Sequence, residues 1–409
     1  MMGTAIAQLI TFASSPLLTR LFSPSDYAAF AIFFSLNSTI SVVASARYNL
    51  AIPLPEKDAD AINLLQLSVL IAVFVSLLSL LGIVVYSFCF SYKSEYFSNW
   101  FYLLPVSIFS WGSYSVFNYW STRNKTYTNN SIGRITSAIV TALVSIIAGY
   151  LCMDTKGLII GLVCGQTFAF LFLLITSLKN NNKLFSKFDW EKIKSVAYKY
   201  KSFLSVNSPH ALVDSLQANG IVFLLSYYFF DAVVSWYFLA FRILKAPVYL
   251  IGSAFAQVFY QRVAVAKNKG ENPQALILNI YKKLFLIGLP GFFILFLFTP
   301  QIFSFVYGNK WTAAGEIAQI LIPWLFLNFI ISPVSGLPLI YNKQKQAFIL
   351  TIIDLSLRIL ALIIGGMYGS YKLSFLIISI FCSGLALFTM WWYYSLAVPE
   401  NELQKHELE

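Results

Sequence analysis

Residues 179–201 read KNNNKLFSKFDWEKIKSVAYKYK, with seven lysines against only Asp189 and Glu191. This is the longest polar interval before the C-terminal tail, and apolar sequence of about equal length lies on either side. From Trp190 onward the apolar residues Trp190, Ile193, Ala197 and Tyr200 recur at helical spacing, with lysines between them. A basic helix of that kind rests on a membrane surface. The stretch therefore predicts a cytoplasmic surface helix, residues 179–201, joining two membrane-embedded halves at 1–178 and 202–397, with a polar cytoplasmic tail at 398–409.

The bulk composition agrees. Hydrophobic residues make up 58% of the 409 and charged residues 11%, with a mean hydropathy of +0.71. Soluble domains carry about 25% charged residues, and a soluble chain has nowhere to put this much apolar surface. The 38 phenylalanines suit lipid-facing and interfacial positions. The net charge of +11 would point to nucleic acid in a soluble protein; here positive residues collecting in cytoplasmic loops explain it, and no nucleic-acid partner is expected. Cys89, Cys152, Cys164 and Cys382 all sit in apolar runs without a CxxC pair, so they read as buried free thiols, neither a disulfide framework nor a metal site. The N-terminal run lacks a preceding basic residue, which makes it a poor secretory signal, and from Gly3 to Leu18 it is short for a span, so the chain is expected to begin short or to start upstream.

Twelve apolar segments can be marked, at roughly 3–21, 28–52, 62–90, 99–121, 131–152, 157–178, 203–229, 233–259, 281–306, 313–340, 346–369 and 373–397. None alternates at strand period, so the expected fold is an all-α polytopic membrane protein and not a barrel. With the N-terminus inside, nineteen basic residues fall on the cytoplasmic side: Lys57, Arg123, Lys125, Arg134, the seven lysines of 179–201, Arg262, Lys267, Lys269, Lys282, Lys283, Lys343, Lys345 and Lys405. Arg20, Lys93, Lys156, Lys310 and Lys372 are left outside, which puts both termini in the cytoplasm. The two halves echo one another faintly: SPSDYAAFAIF follows segment one and FDAVVSWYFLAFRIL follows segment seven. Six plus six helices suggest two related bundles, as in many transporters.

Charges at membrane depth cost roughly 2.5–3.5 kcal/mol each on insertion scales, so they tend to have a use. The cations are Arg47, Arg242, Lys245 and Arg358; the acids are Asp214 and Asp354. Arg242 and Lys245 share a helix face, where they either hold a diphosphate or snorkel to the outer headgroups. Asp354 and Arg358, four apart, are expected to bridge each other. Arg47 has no acid within four residues, which favours a role in a cavity over snorkelling to the cytoplasmic headgroups. Asn207, His210, Asp214 and Gln217 form one polar stripe, either a proton relay through His210 and Asp214 or a seam between helices, with Pro209 as a break. SPVSGLP at 332–338 reads as a hinge or a kink. Trp111, Tyr114, Asn118 and Trp120 are either a sugar platform or packing residues. No nucleotide-binding or HExxH motif and no Cys/His cluster occurs, so no metal or cofactor is expected and energy would come from an ion gradient or from the substrate's own gradient.

GTAIAQLITFASSPLLTRLFSPSDYAAFAIF and ASARYNLAIPLPEKDADAINLLQLS resemble the opening of Wzx-type polysaccharide (O-antigen) repeat-unit flippases, of the multidrug/oligosaccharidyl-lipid/polysaccharide (MOP) exporter superfamily. The matching residues are Gln8, Pro16, Thr19, Arg20, Leu21, Ser23, Pro24, Asp26 and Tyr27, then Arg47, Tyr48, Ala51, Ile52 and Ala61. Looser echoes are FRILKAPV with Arg242 and Pro247, FVYGNKWTAA with Gly308, Trp311 and Ala314, and YNKQKQAFIL with Lys345. The chain departs from the family in having Ala28 where Gly is frequent and Asn49 where Glu is frequent; the second change leaves Arg47 less neutralised. The resemblance implies two six-helix lobes around a central cavity in a bacterial inner membrane. It implies an oligosaccharide on an undecaprenyl diphosphate carrier as substrate, for lipopolysaccharide O-antigen, capsule or exopolysaccharide, with the bilayer and the polymerase and chain-length proteins of the pathway as partners. Ion coupling would rest on His210, Asp214 and Asp354. The rival readings are a membrane glycan polymerase or ligase, which ordinarily carries a large outside loop that this chain lacks, and a MATE-like drug exporter, which for cationic drugs should present unpaired acids.

Overall fold

Lipid offers no hydrogen bonds, so a spanning backbone must satisfy itself as helix. The computed structural model describes residues 2–90, 99–181, 184–185, 188–268 and 273–397, and among them there is no strand. Lys93, Lys183, Lys187, Lys269, Lys405, His406 and the tail 398–409 lie outside the described residues.

The first six expected segments are α1 (Met2–Leu21), α2 (Pro24–Ser41), α3 (Asp58–Phe90), α4 (Leu104–Arg123), α5 (Tyr127–Tyr150) and α6 (Asp154–Asn180). The basic stretch contributes α7 (Trp190–Lys199). Segment seven is broken into a π-helical turn at Phe203–Asn207, α8 (Ser208–Asn219) and α9 (Ile221–Tyr228), with Pro209 in the first turn of α8. Then follow α10 (Asp231–Asn268), α11 (Gln274–Tyr307), α12 (Thr312–Ile331), the short α13 (Leu337–Ile340), α14 (Gln344–Met367) and α15 (Tyr371–Ser395). The break in SPVSGLP is real: a 3-10 turn at Ser332–Val334 separates α12 from α13. Among the described residues, seven stretches are long and apolar enough by themselves to cross a membrane. The remaining expected segments form helices that are shorter, more polar or interrupted.

Contacts divide the chain into two compact units, Met1–Phe223 and Leu224–Glu409. Each unit repeats one packing scheme. In the first, α3 packs on α4, α4 on α6, α5 on α6 and α2 on α4. In the second, the equivalent pairs are α11 on α12, α12 on α15, α14 on α15 and α10 on α12. Lipid tails are as apolar as leucine, so membrane helices associate through close backbone approach at small residues. Gly161 and Gly165 of α6 abut Ser145 and Thr141 of α5, and in the second unit Gly365 of α14 abuts Ser374 of α15. Outward faces are apolar: Phe74, Leu77 and Leu81 on α3, and Leu286, Phe293 and Phe305 on α11, are all more than half exposed.

Two expectations are corrected. The cysteines are not uniformly buried: Cys382 is buried and Cys164 half-buried, but Cys89 and Cys152 are exposed because they sit at helix ends. The helix α7 does not keep its apolar edge for lipid. Ile193 and Val196 are buried. Val196 joins Tyr48, Ile52, Leu64 and Leu184 in the core of the first unit. Trp190, expected on the same edge, is exposed beside Phe188.

Candidate anion site and ion-coupling residues

In the first unit the candidate site is the loop between α2 and α3. The helix α2 starts on a capping box: Ser23 Oγ accepts from the Asp26 amide (3.2 Å) and the Ser23 amide donates to Asp26 (2.9 Å), with Pro24 in the first turn. This SPSD turn is held to α6 by Thr155, which donates to Asp26 Oδ1 (3.0 Å). At its far end α2 unwinds into turns, and Ala46 (φ 47°) and Arg47 (φ 60°) lie consecutively in the left-handed region. Non-glycine residues pay roughly 1–3 kcal/mol each there, and such strain persists only where the surroundings over-determine it.

The surroundings do so. Asn49, buried, accepts from Ser45 Oγ (2.9 Å) and donates to Ser115 Oγ of α4 (2.8 Å). Arg123 at the end of α4 donates to the carbonyls of Ile52 (3.4 Å) and Pro55 (2.6 Å) and pairs with Asp58 (2.8 Å). Tyr48 Oη donates to the Ala197 carbonyl of α7 (3.1 Å). Arg47 itself is half-buried, no acid lies within ion-pair distance of it among the described residues, and its Nε is buried without an acceptor. A buried donor left unsatisfied costs about 1–3 kcal/mol, more when charged. Sequence reasoning placed Arg47 but missed Tyr48, Ser115 and Arg123 as its supports. The signal was present in RYNLAIP, where Tyr48 directly follows the arginine.

Of the polar stripe of segment seven, His210 and Asp214 lie on the exposed face of α8, while Asn207, in the π-helical turn, and Gln217 are half-buried. His210 Nδ1 and Asp214 Oδ2 are 3.1 Å apart, and both side chains are about half exposed (56% and 51%). The face of α8 that packs carries Ser208, Ala211 and Ser215 instead, with Ser215 against the Ser38 carbonyl of α2 (3.5 Å). His210 and Asp214 therefore lie off the face of α8 that meets α2.

In the second unit Asp354 and Arg358 of α14 form the expected ion pair, with side chains only 15% and 9% exposed. The Arg358 guanidinium also lies 4.6 Å from the centre of the Trp324 ring on α12. That ring starts an aromatic column through Phe241 (6.2 Å), Tyr237 (5.4 Å) and Phe375 (5.4 Å). Arg242 and Lys245 project from α10 over Phe238 and Phe241 (5.8 and 4.9 Å) and are exposed. So Arg358 is neutralised and packed, while Arg242 and Lys245 present charge at a surface. Of the aromatic candidates on α4, Tyr114 and Trp120 are core residues and only Trp111 is partly exposed, stacked on Tyr114 at 5.2 Å. A cleft of about 590 Å³ at the end of α11 is lined by Pro300, Gln301, Ser304, Phe305, Asn309 and Thr312, none of them a residue picked out by the sequence. No group of three or more metal-ligating side chains occurs among the described residues.

A family model described as "Polysaccharide biosynthesis protein" matches residues 17–316. That range includes Arg47, His210, Asp214, Arg242 and Lys245 and stops short of Asp354 and Arg358. No curated protein matches the chain by sequence. Among solved structures, an inward-facing multidrug resistance MATE family transporter of the MOP superfamily superposes with a TM-score of 0.71 at 15% identity, over 94% of this chain and 93% of that one. The lipid II flippase MurJ, inward closed, superposes with a TM-score of 0.71 at 15% identity, over 95% and 87%. A MOP superfamily transporter from Pyrococcus furiosus gives 0.56 at 14% identity, over 96% and 92%. The fold is that of the MOP transporters.

Proposed function

This chain belongs to the polysaccharide biosynthesis protein family, and on that premise we propose that it is a flippase for a lipid-linked glycan. Its substrate is an oligosaccharide on an undecaprenyl diphosphate carrier, moved from the cytoplasmic to the periplasmic leaflet of a bacterial inner membrane for surface polysaccharide assembly. The observation that carries this reading is Arg47: a half-buried cation on a strained but fully braced loop, without an acidic partner among the described residues. A site of that kind suits a diphosphate. A guanidinium offers a planar fork of donors to phosphate oxygens.

Arg242 and Lys245 supply further positive charge in the second unit, and Arg358 acts there as a packed cation held by Asp354. Transport proceeds by alternating access of the two lobes, with the sugar and diphosphate in water and the polyprenyl tail in lipid. Coupling to an ion gradient runs through the exposed His210–Asp214 pair, with Asp354 as a second carboxylate. Both termini are cytoplasmic, and the polymerase and chain-length proteins of the same pathway are the expected partners.

The test is to delete the gene and ask where single lipid-linked repeat units accumulate, using an impermeant lectin before and after opening the inner membrane. Units trapped on the cytoplasmic side are expected. Units exposed on the outer side would show that translocation proceeds without this protein and overturn the reading. The same assay with Asp214→Asn addresses coupling: undiminished transport removes Asp214 from it. A drug exporter, the rival raised by the MATE likeness, predicts no accumulation at all and greater sensitivity of the deletion strain to organic cations.

A further inference from the structure

The basic stretch and the Arg47 loop, separated by well over a hundred residues, are built into one another. Leu184 is fully buried, and Ile193 and Val196 are nearly so. Leu184 and Val196 share a core cluster with Tyr48, Ala51, Ile52 and Leu65. Two hydrogen bonds cross the junction: Gln66 Nε2 donates to the Leu184 carbonyl (2.8 Å) and Tyr48 Oη to the Ala197 carbonyl (3.1 Å). The second has a specific logic. The last four carbonyls of a helix have no intrahelical donor, and Ala197 is two residues from the end of α7. Tyr48 therefore caps α7 from the residue that follows Arg47. The π-helical turn Phe203–Asn207 beyond α7 packs on the same 3-10 turn, Tyr48–Ala51.

Consecutive left-handed residues at Ala46 and Arg47 need bracing. Asn49 and Arg123 brace the loop from α4, and Tyr48 braces it from α7. We propose that the basic linker helix is a strap that sets the position of Arg47, with Tyr48 as the positioning residue through which it acts. The strap binds no substrate. It holds the loop in the strained conformation in which the guanidinium meets a diphosphate, so order in α7 and affinity at Arg47 are one coupled quantity. Such coupling is reciprocal: a diphosphate bound at Arg47 tightens α7. This inference rests on the reading of Arg47 as a diphosphate ligand.

The test uses the purified full chain and geranyl diphosphate as the probe, with affinity and backbone amide exchange measured together. Tyr48→Phe removes only the capping hydroxyl. It is expected to weaken binding about threefold to tenfold, the size of one hydrogen bond, and to speed exchange across Lys192–Lys199. In wild type the probe slows exchange in α7; in Tyr48→Phe that response is lost. Val196→Ala, which loosens the strap from the other side, weakens binding in the same way. In an Arg47→Ala background neither substitution has a further effect on affinity. If Tyr48→Phe speeds exchange in α7 while affinity holds, and Arg47→Ala weakens affinity, the strap does not position Arg47 and this inference fails with the functional reading intact. If Tyr48→Phe weakens binding equally with and without Arg47, Tyr48 acts on its own and the inference is again overturned. If Arg47→Ala leaves affinity unchanged, the substrate reading of Arg47 fails and takes this inference with it.

Discussion

Arg47 and Arg358 are both arginines within apolar stretches of the sequence, and their surroundings differ. Arg358 is 8% exposed, paired with Asp354 and stacked on Trp324. Removing one partner of a buried pair leaves the other charge uncompensated, at a cost of about 3–5 kcal/mol. Arg358→Ala is therefore expected to lower the thermal midpoint of the detergent-solubilised protein and its folded yield, and Asp354→Leu with Arg358→Met to restore most of both. Arg47→Ala breaks no ion pair, so it should leave the thermal midpoint near wild type while cutting accumulation of outer-leaflet glycan by at least about tenfold, the loss of one charge-assisted hydrogen bond or more. A large fall in stability from Arg47→Ala would show that the residue is structural. From sequence these two arginines differed only in having an acid nearby: Asp354 sits one helical turn from Arg358, whereas nothing of that kind sits near Arg47. That local signal was legible. The left-handed backbone at Arg47 was not, because Ala46 and Arg47 have no intrinsic preference for it.

At the scale of the element, helix interfaces depend on glycine where the backbone comes closest. A Cβ built on Gly165 would meet the Ser137 carbonyl and the Thr141 side chain of α5. A carbonyl cannot turn aside as a side-chain tip can, so Gly165→Val must push α5 and α6 apart, at a cost of about 1–3 kcal/mol. A lower thermal midpoint of the variant in detergent checks this, and an unchanged one would mean that the interface yields freely. The start of α7 makes a different prediction. Asp189 caps the helix, accepting from the Lys192 amide (3.2 Å), and its carboxylate meets Lys192 Nζ at 2.9 Å. The Lys192 side chain, then its amide, hold the Asp189 carboxyl below its ordinary value of 3.8. A depressed carboxylate stabilises the fold fully above its unfolded pKa, and that contribution is lost as pH falls through the folded value. Protection factors in the first turn of α7 should thus be flat from neutral pH down to the carboxylate range and fall below it. Asp189→Ala should lack protection there at every pH. A wild-type decline that already begins near neutrality would contradict the assignment.

At the scale of the whole molecule, the basic residues predict which side of the membrane each loop faces. Orientation with both termini inside puts the turn between α5 and α6 outside. That turn carries Cys152, which is exposed, and Cys89 near the end of α3 is exposed on the same predicted side. The unmodified protein therefore carries its own reporters. An impermeant maleimide added to intact spheroplasts should label it, and Cys152→Ser together with Cys89→Ser should abolish the signal. Labelling that appears only after the membrane is permeabilised would invert the topology. The internal repeat also belongs to this scale. The sequence hinted at it through two similar first turns, and the packing of α3 on α4 and α4 on α6 recurs as α11 on α12 and α12 on α15.

Segment length and composition were enough for the class: apolar segments too long and too weakly charged for a soluble core must be membrane helices, and the π-helical turn before Pro209 and the break at SPVSGLP follow from backbone chemistry that acts within a few residues. The sequence also located the cations, because a charge inside an apolar run is visible without knowing what surrounds it. What each of those charges meets depends on residues distant in the chain, which come together only in the fold. The Tyr48 to Ala197 hydrogen bond, the Arg123 clamp on the Arg47 loop and the column from Trp324 to Phe375 each join residues far apart in the chain. Their energies depend on distances that no local pattern encodes. For the same reason the apolar edge of α7, which a periodicity reading assigns to lipid, lies against protein: spacing reports that a face must be covered, and the fold selects what covers it.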